Sequence, residues 1–251
     1  MKQRIQVCAL SRTLLGLSIA ASALVAAPTL AQTATYPSGA PEIPDLANLP
    51  DWDGLWERDQ DNVWDNRIPV GQSQEAPYND EYKALAKDGP PGRRGSAFNS
   101  MPGFLSMLFP MEIQVSRMQM TIMSENKENY RRIFTDGRVH TPDTLPSSNG
   151  HSVGKWVNGE LHVDTCCIRE DTRLPGNGPH SDALHITERW YLRDYKTLVT
   201  EITVEDPKAF SKPWTTEKVW HRRPDWEPVE YDREENDRDR PAQGGRAAPA
   251  E

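Results

Sequence analysis

The sequence predicts a mainly β chain: a single antiparallel up-and-down β-barrel of about eight strands, with a short helical N-terminal segment. Three observations predict it. From Glu112 onward apolar and polar residues alternate at period two, the pattern of half-buried strands. Turn pairs punctuate the alternation, Asn158-Gly159 most strongly and Asp136-Gly137 as another hairpin signal. The strand segments follow one another in sequence order, and such a meander buries its apolar face and removes its edges by closing on itself.

The first 31 residues are read as a leader. Lys2, Arg4 and Arg12 precede the apolar run Leu14 to Ala27, and Thr29 and Ala31 supply small residues before a cut after Ala31, the arrangement of a secretory signal peptide. The run falls short of the roughly 20 apolar residues that span a bilayer. Membrane insertion is therefore not expected, and the expected destination is the periplasm. Residues 32–49, rich in Pro, Ala and Ser, read as a linker, and residues 50–222 as the barrel domain. Residues 223–251 read as a charged, disordered tail, too poor in apolar side chains to build a core.

Within the domain, "YNDEYKALAKDG" offers Asn79 as a helix N-cap and Gly89 as a stop, and "MPGFLSMLFP" one or two apolar turns. Strands are expected at about 112–116, 118–124, 129–135, 151–157, 160–168, 184–192, 197–205 and 214–221, and a ninth candidate lies around Trp56. The formal charge of −8 becomes −11 once the three basic leader residues are removed. Nucleic acid is excluded as a partner, because phosphate binding needs a basic stripe. Of the three cysteines, Cys8 lies in the leader, and Cys166 and Cys167 are neighbours, poorly placed for an ordinary disulfide.

The segment "NGHSVGKWVNGELHVDTC" concentrates polar chemistry. A two-residue turn at Asn158-Gly159 sets Trp156 opposite Leu161 and Gly154 opposite Val163. Ser152, Gly154, Trp156, Leu161, Val163, Thr165 and Cys167 then share the inner face. Lys155, His162 and Asp164 fall on the outer, solvated one. His151 stands at the open end of this hairpin, beside the barrel mouth. His140, in "TDGRVH", and His180, in "PGNGPHSDALH", lie in loops rich in Gly and Pro, where a rigid scaffold commonly displays functional groups. His185 falls on the outer phase of its strand, and His221 ends the last strand.

Polar residues on inward phases carry the other half of the expectation. Glu188 lies among Leu184, Ile186, Trp190 and Leu192, where a carboxylate must be paired or raised in pKa. Lys218 shares its phase with Trp214, Thr216 and Trp220. Arg132, in a strand flanked by Tyr130 and Phe134, is a third candidate, and a buried Glu188–Lys218 or Glu188–Arg132 pair would fix register. No zinc spacing, phosphate loop or G-x-S-x-G elbow is present, so neither a metal nor a nucleotide cofactor is expected.

Two resemblances add to this reading. Gly54-Leu55-Trp56 resembles the G-x-W of lipocalins and other calycin barrels, in which the Trp plugs one end under a basic residue of the last strand; Arg222 and Arg223 are the candidates. The runs "TDGRVH", "NGHSVGKW", "HVDT", "PHSDALHITER" and "DPKAFSKPWT" resemble a large family of exported bacterial proteins of unknown function, over about residues 112–230. That resemblance implies a single β-barrel. Through some relatives, it implies decarboxylation of lignin-derived phenylcoumaran acids without a cofactor.

The expected function is an exported, cofactor-independent lyase acting on a hydrophobic aromatic small molecule such as a phenolic acid. Arg132 or Lys218 would hold its carboxylate or phenolate. Glu188, His140, His151 or His180 would move a proton, and Trp156, Trp190 and Tyr130 would contact the rings. The competing expectation is a non-catalytic, lipocalin-like carrier, which has no need of a Glu and a Lys in its lining.

Overall fold

A computed structural model describes residues 45–59, 65–69, 74–88, 100–106, 109–124, 130–175 and 178–228. The leader, residues 32–44 of the linker, Gly89, Met107, Leu108 and the tail from residue 229 lie outside the described residues. Nine strands form one closed barrel in sequence order: β1 (Gly54–Arg58), β2 (Met111–Val115), β3 (Gln119–Ser124), β4 (Tyr130–Phe134), β5 (His151–Val157), β6 (Glu160–Cys166), β7 (His185–Asp194), β8 (Thr197–Glu205) and β9 (Trp214–Arg222). The helix α1 (Asp80–Asp88) precedes β2, and short 3-10 turns cover Leu46–Asn48 and Gly103–Ser106. Asn79 caps α1 as expected, its Oδ1 accepting from Tyr82 N at 3.0 Å.

Two expectations need correction. The strands number nine rather than eight, and the barrel is mixed, because β4 and β5 run parallel through Ile133–Ser152 and Phe134–Val153. Chain direction reverses at each antiparallel contact, so a closed ring of nine sequential strands cannot be antiparallel throughout. The parallel step falls where the connection, residues 135–150, is long enough to carry the chain back along the barrel. Asp136-Gly137 therefore starts a crossover and not a hairpin. The Arg138 guanidinium binds the Asp136 carboxylate at 2.6–3.1 Å and lies 3.7 Å over the Phe134 ring, which anchors the start of this connection.

The β5–β6 hairpin follows its pattern. Asn158 and Gly159 both take positive φ, 52° and 81°, and Val157–Glu160, Trp156–Leu161 and Gly154–Val163 pair as expected. Ser152, Leu161, Val163 and Thr165 are buried inside. A Cβ on Gly154 would lie 2.9 Å from Ile133 and 3.0 Å from Leu161, so the inner face is filled to its backbone.

At one end Trp56 is fully buried, donates Nε1 to Trp52 O at 3.0 Å, and carries Arg222 4.6 Å above its ring. Arg222 also bonds Asp53 O at 3.0 Å and stacks on Tyr195. The chain leaves β9 still attached: Arg223 N donates to Leu55 O at 2.8 Å, and its guanidinium meets Glu57. Among the described residues no helix is long and apolar enough to cross a membrane.

Candidate functional site

The expected site residues do not converge on one pocket; they divide across the barrel wall. Inside, Arg131 and Glu188 form a bidentate pair at 2.8 and 2.5 Å, with both side chains excluded from solvent. Arg131 also reaches Ser152 Oγ at 3.2 Å and Thr165 Oγ1 at 3.1 Å, and Trp190 Nε1 donates to Glu188 Oε2 at 2.9 Å. The carboxylate is thus met by three donors. Lys218, with no exposed surface, stands 5.8 Å from the Trp220 ring, and burial lowers its pKa to about 8.

The interior partner of Glu188 is Arg131, where sequence suggested Arg132 or Lys218. Register explains the correction: Ile133 and Arg131 face inward opposite Met120 and Ile122, which leaves Tyr130, Arg132 and Phe134 on the outer phase. There Arg132 lies 4.9 Å over the Tyr130 ring. Trp156 packs edge-on against Trp52 at 4.9 Å and does not line the interior cavity; Trp190 does.

Outside, the residues expected at the mouth meet two that alternation alone had assigned to solvent. His151 opens β5 on its outer phase, and Cys166 is its cross-strand neighbour. Asp164 and His185 stand on the same outer surface of β6 and β7. The β4–β5 connection lays His140 over them. His140 Nε2 lies 2.8 Å from Asp164 Oδ1, and His140 Nδ1 lies 2.8 Å from His151 Nδ1 and 3.2 Å from Cys166 Sγ. His185 Nε2 reaches the same carboxylate at 3.0 and 3.1 Å.

Protonation follows from these contacts. A ring nitrogen facing a carboxylate carries its proton, so His140 donates from Nε2 and, when neutral, accepts at Nδ1. His151 Nδ1 must then be the donor between the two rings, which leaves the lone pair of His151 on Nε2. Burial, the neighbouring His140 and the Arg138 charge lower the His151 pKa below the ordinary histidine value, against a smaller upward pull from Asp136. Burial and the adjacent Cys167 push the Cys166 thiol up to about 12, so it stays a thiol, with Sγ 3.2 Å from His140 Nδ1. The Phe134 ring stands 5.7 Å from His151. An open groove of about 350 Å³ along β6 to β8 shares Asp164 with the cluster and is lined also by His162, Thr187, Arg189 and Thr203.

His180 stands apart. It is buried, with Nε2 2.8 Å from Thr172 Oγ1 and Nδ1 2.9 Å from Ser181 O, while Asp206 holds Ser181 N and Oγ at 2.7 Å. Both its nitrogens are used within the β6–β7 connection, which Asp206 ties to the end of β8 through Ser181. Among the described residues no group of three or more His, Cys, Asp or Glu side chains is arranged to hold a metal ion.

The arrangement is a hydrogen-bonded cluster of titratable side chains on the outer surface of a closed barrel. No family model and no curated protein sequence matches the chain. Each of the runs "TDGRVH", "NGHSVGKW", "HVDT" and "PHSDALHITER" contributes one member of the cluster: His140, His151, Asp164 and His185.

Proposed function

We propose that the chain is an exported acid–base enzyme of the lyase class, working without a cofactor on a small aromatic or phenolic acid, with His151 as its base. The observation that carries this reading is the hydrogen-bonded chain from Asp164 through His140 to His151. His151 Nε2 accepts the substrate proton, and the Asp164 carboxylate orients the His140 ring that holds His151 in this tautomer. The phenolic-acid class comes from the resemblance of the sequence runs, and the Phe134 ring beside His151 gives such a substrate a stacking wall.

For a conjugated phenolic acid the steps balance without another reactant. His151 takes the phenolic proton, and the oxygen keeps the bonding pair. Electron flow through the ring lets the carbon bearing the carboxylate take that proton back. Loss of carbon dioxide then returns the pair of the broken C–C bond to the ring as phenolate. The stacking of Arg222 on Trp56 supports a calycin-like barrel. A carrier role rests on the interior cavity, whose volume of about 10 Å³ holds no organic ligand as it stands.

The test is mass-resolved chromatography of the purified protein incubated with a panel of aromatic and phenolic acids, after dialysis against a chelator, with His151→Ala alongside. Turnover by the wild type that is lost in the folded variant is expected. Tight binding with every acid returned unchanged would overturn the enzyme reading in favour of a carrier.

A further inference from the structure

Two strips of the outer wall flank the histidine cluster, and their charges differ. On the β6–β8 side the open groove carries Asp164, Arg189 and Glu201. Arg189 is already taken there, by Glu160 at 2.7 and 2.8 Å and by Glu201 at 3.1 Å. Three carboxylates thus stand against one answered guanidinium, and Glu205 adds a fourth, 3.9 Å from His185. The field on that side repels an anionic acid.

The β4 side is the reverse. Tyr130, Arg132 and Phe134 share the outer phase of that strand. The parallel register pairs Ile133 with Ser152 and Phe134 with Val153, so one step back along both strands Arg132 stands beside His151, on the same outer face. Asn149 Nδ2 donates to Tyr130 O at 3.2 Å, which ties the chain entering β5 to the start of this strip. The neighbouring arginines are already met by carboxylates, Arg131 by Glu188 and Arg138 by Asp136. Arg132 is not: among the described residues its guanidinium meets the Tyr130 ring, 4.9 Å away, and no carboxylate. A ring contact consumes none of the five N–H donors. A planar, permanently charged fork with its donors free is what binds a carboxylate bidentately, and this one stands one strand away from the base.

We infer that Arg132 is the carboxylate anchor of the His151 site: it takes the acid group of the substrate, whose aromatic body lies along the strip of Tyr130 and Phe134. The inference rests on the reading of His151 as the base. It adds the direction of approach, which is from β4 and not along the β6–β8 groove. It also sets specificity, since an acid is selected over its ester, which offers the guanidinium no charge.

The test combines isothermal titration calorimetry with turnover assays on the same samples of the full chain, at fixed ionic strength, with 4-hydroxycinnamate and its methyl ester as probes. The acid should bind the wild type, with Kd and KM raised at least tenfold in Arg132→Gln and partly recovered in Arg132→Lys, which keeps the charge but not the fork. The ester should bind wild type and Arg132→Gln equally weakly, and Arg189→Gln should leave the Kd of the acid unchanged. Binding that depends on Arg132 without turnover would uphold the anchor and sink only the assignment of His151 as base. Turnover lost in His151→Ala, with KM unchanged in Arg132→Gln, would overturn the anchor and leave the base standing. A wild type that does not bind the acid, or a loss of binding in Arg189→Gln in place of Arg132→Gln, would also overturn the anchor.

Discussion

A histidine serves as a base near neutral pH when it is neutral, when its outward nitrogen is the unprotonated one, and when the charge it gains has a counterpart. In His151 burial favours the neutral ring, the contact with His140 leaves the lone pair on Nε2, and the Asp164 carboxylate stands behind His140. Replacing His151 by Ala should lower kcat/KM by about 10²–10⁴-fold with the fold retained, as steady-state kinetics and circular dichroism would show. Because the base works deprotonated, activity should fall as pH drops through the His151 pKa. The acid limb of the kcat/KM profile should therefore lie below the ordinary histidine value of about 6.5. Lys218 makes an opposite kind of prediction. Its folded pKa of about 8 lies below the ordinary lysine value of 10.5, so between these values the unfolded chain binds more protons and stability rises with pH. Lys218→Met should remove roughly 3 kcal/mol of that rise, measured as the difference between the two denaturation curves from pH 8 to pH 10.5. His140 and His151 were legible in the sequence as loop and mouth residues. Asp164 and His185 were not, since alternation tells which side of a sheet a residue faces but not whether a loop comes to lie over that side.

At the scale of the element, the turns decide where the cluster forms. Gly150, immediately before His151, has φ of 63°, and an added Cβ would stand 2.7 Å from both Cys166 O and Ile168 Cγ1. Gly150→Ala should cost about 1–3 kcal/mol in chemical denaturation. It should also shift His151 enough to lower kcat more than KM changes, whereas Gly159→Ala, at a distant turn, should affect stability alone. The β5–β6 hairpin could be read to the residue because its turn pair and its apolar phase agree. The β4 phase could not: Arg131 and Arg132 are adjacent, aromatic residues flank one phase, and only pairing with Met120 and Ile122 brings Arg131 inside. Asp136-Gly137 misled for a similar reason, since its local turn chemistry suits a crossover as well as a hairpin.

Across the whole molecule, a barrel of nine strands closes through β1 and β9, with Trp56 and Arg222 paired at the seam. Strand order was legible because each strand neighbours the next in sequence. The parallel step was not, because side-chain periodicity carries no information on chain direction. The Arg131–Glu188 pair ties β4 to β7 across the interior, and Ser152 and Thr165 link it to β5 and β6. Glu188→Gln should therefore destabilise the barrel by roughly 3–5 kcal/mol, because it leaves a buried guanidinium without its counter-charge. The double variant Arg131→Met with Glu188→Leu should recover much of that loss, which a urea-denaturation cycle would measure.

The central claim, that Asp164 and His140 hold His151 as a neutral base with its lone pair on Nε2, is tested most directly by nitrogen-15 NMR of the histidine rings across a pH titration. The account predicts that His151 carries its proton on Nδ1 at neutral pH and titrates below the ordinary histidine value, and that Asp164→Asn disturbs that tautomer. A His151 ring protonated on Nε2, or one that titrates at or above the ordinary value, would contradict it.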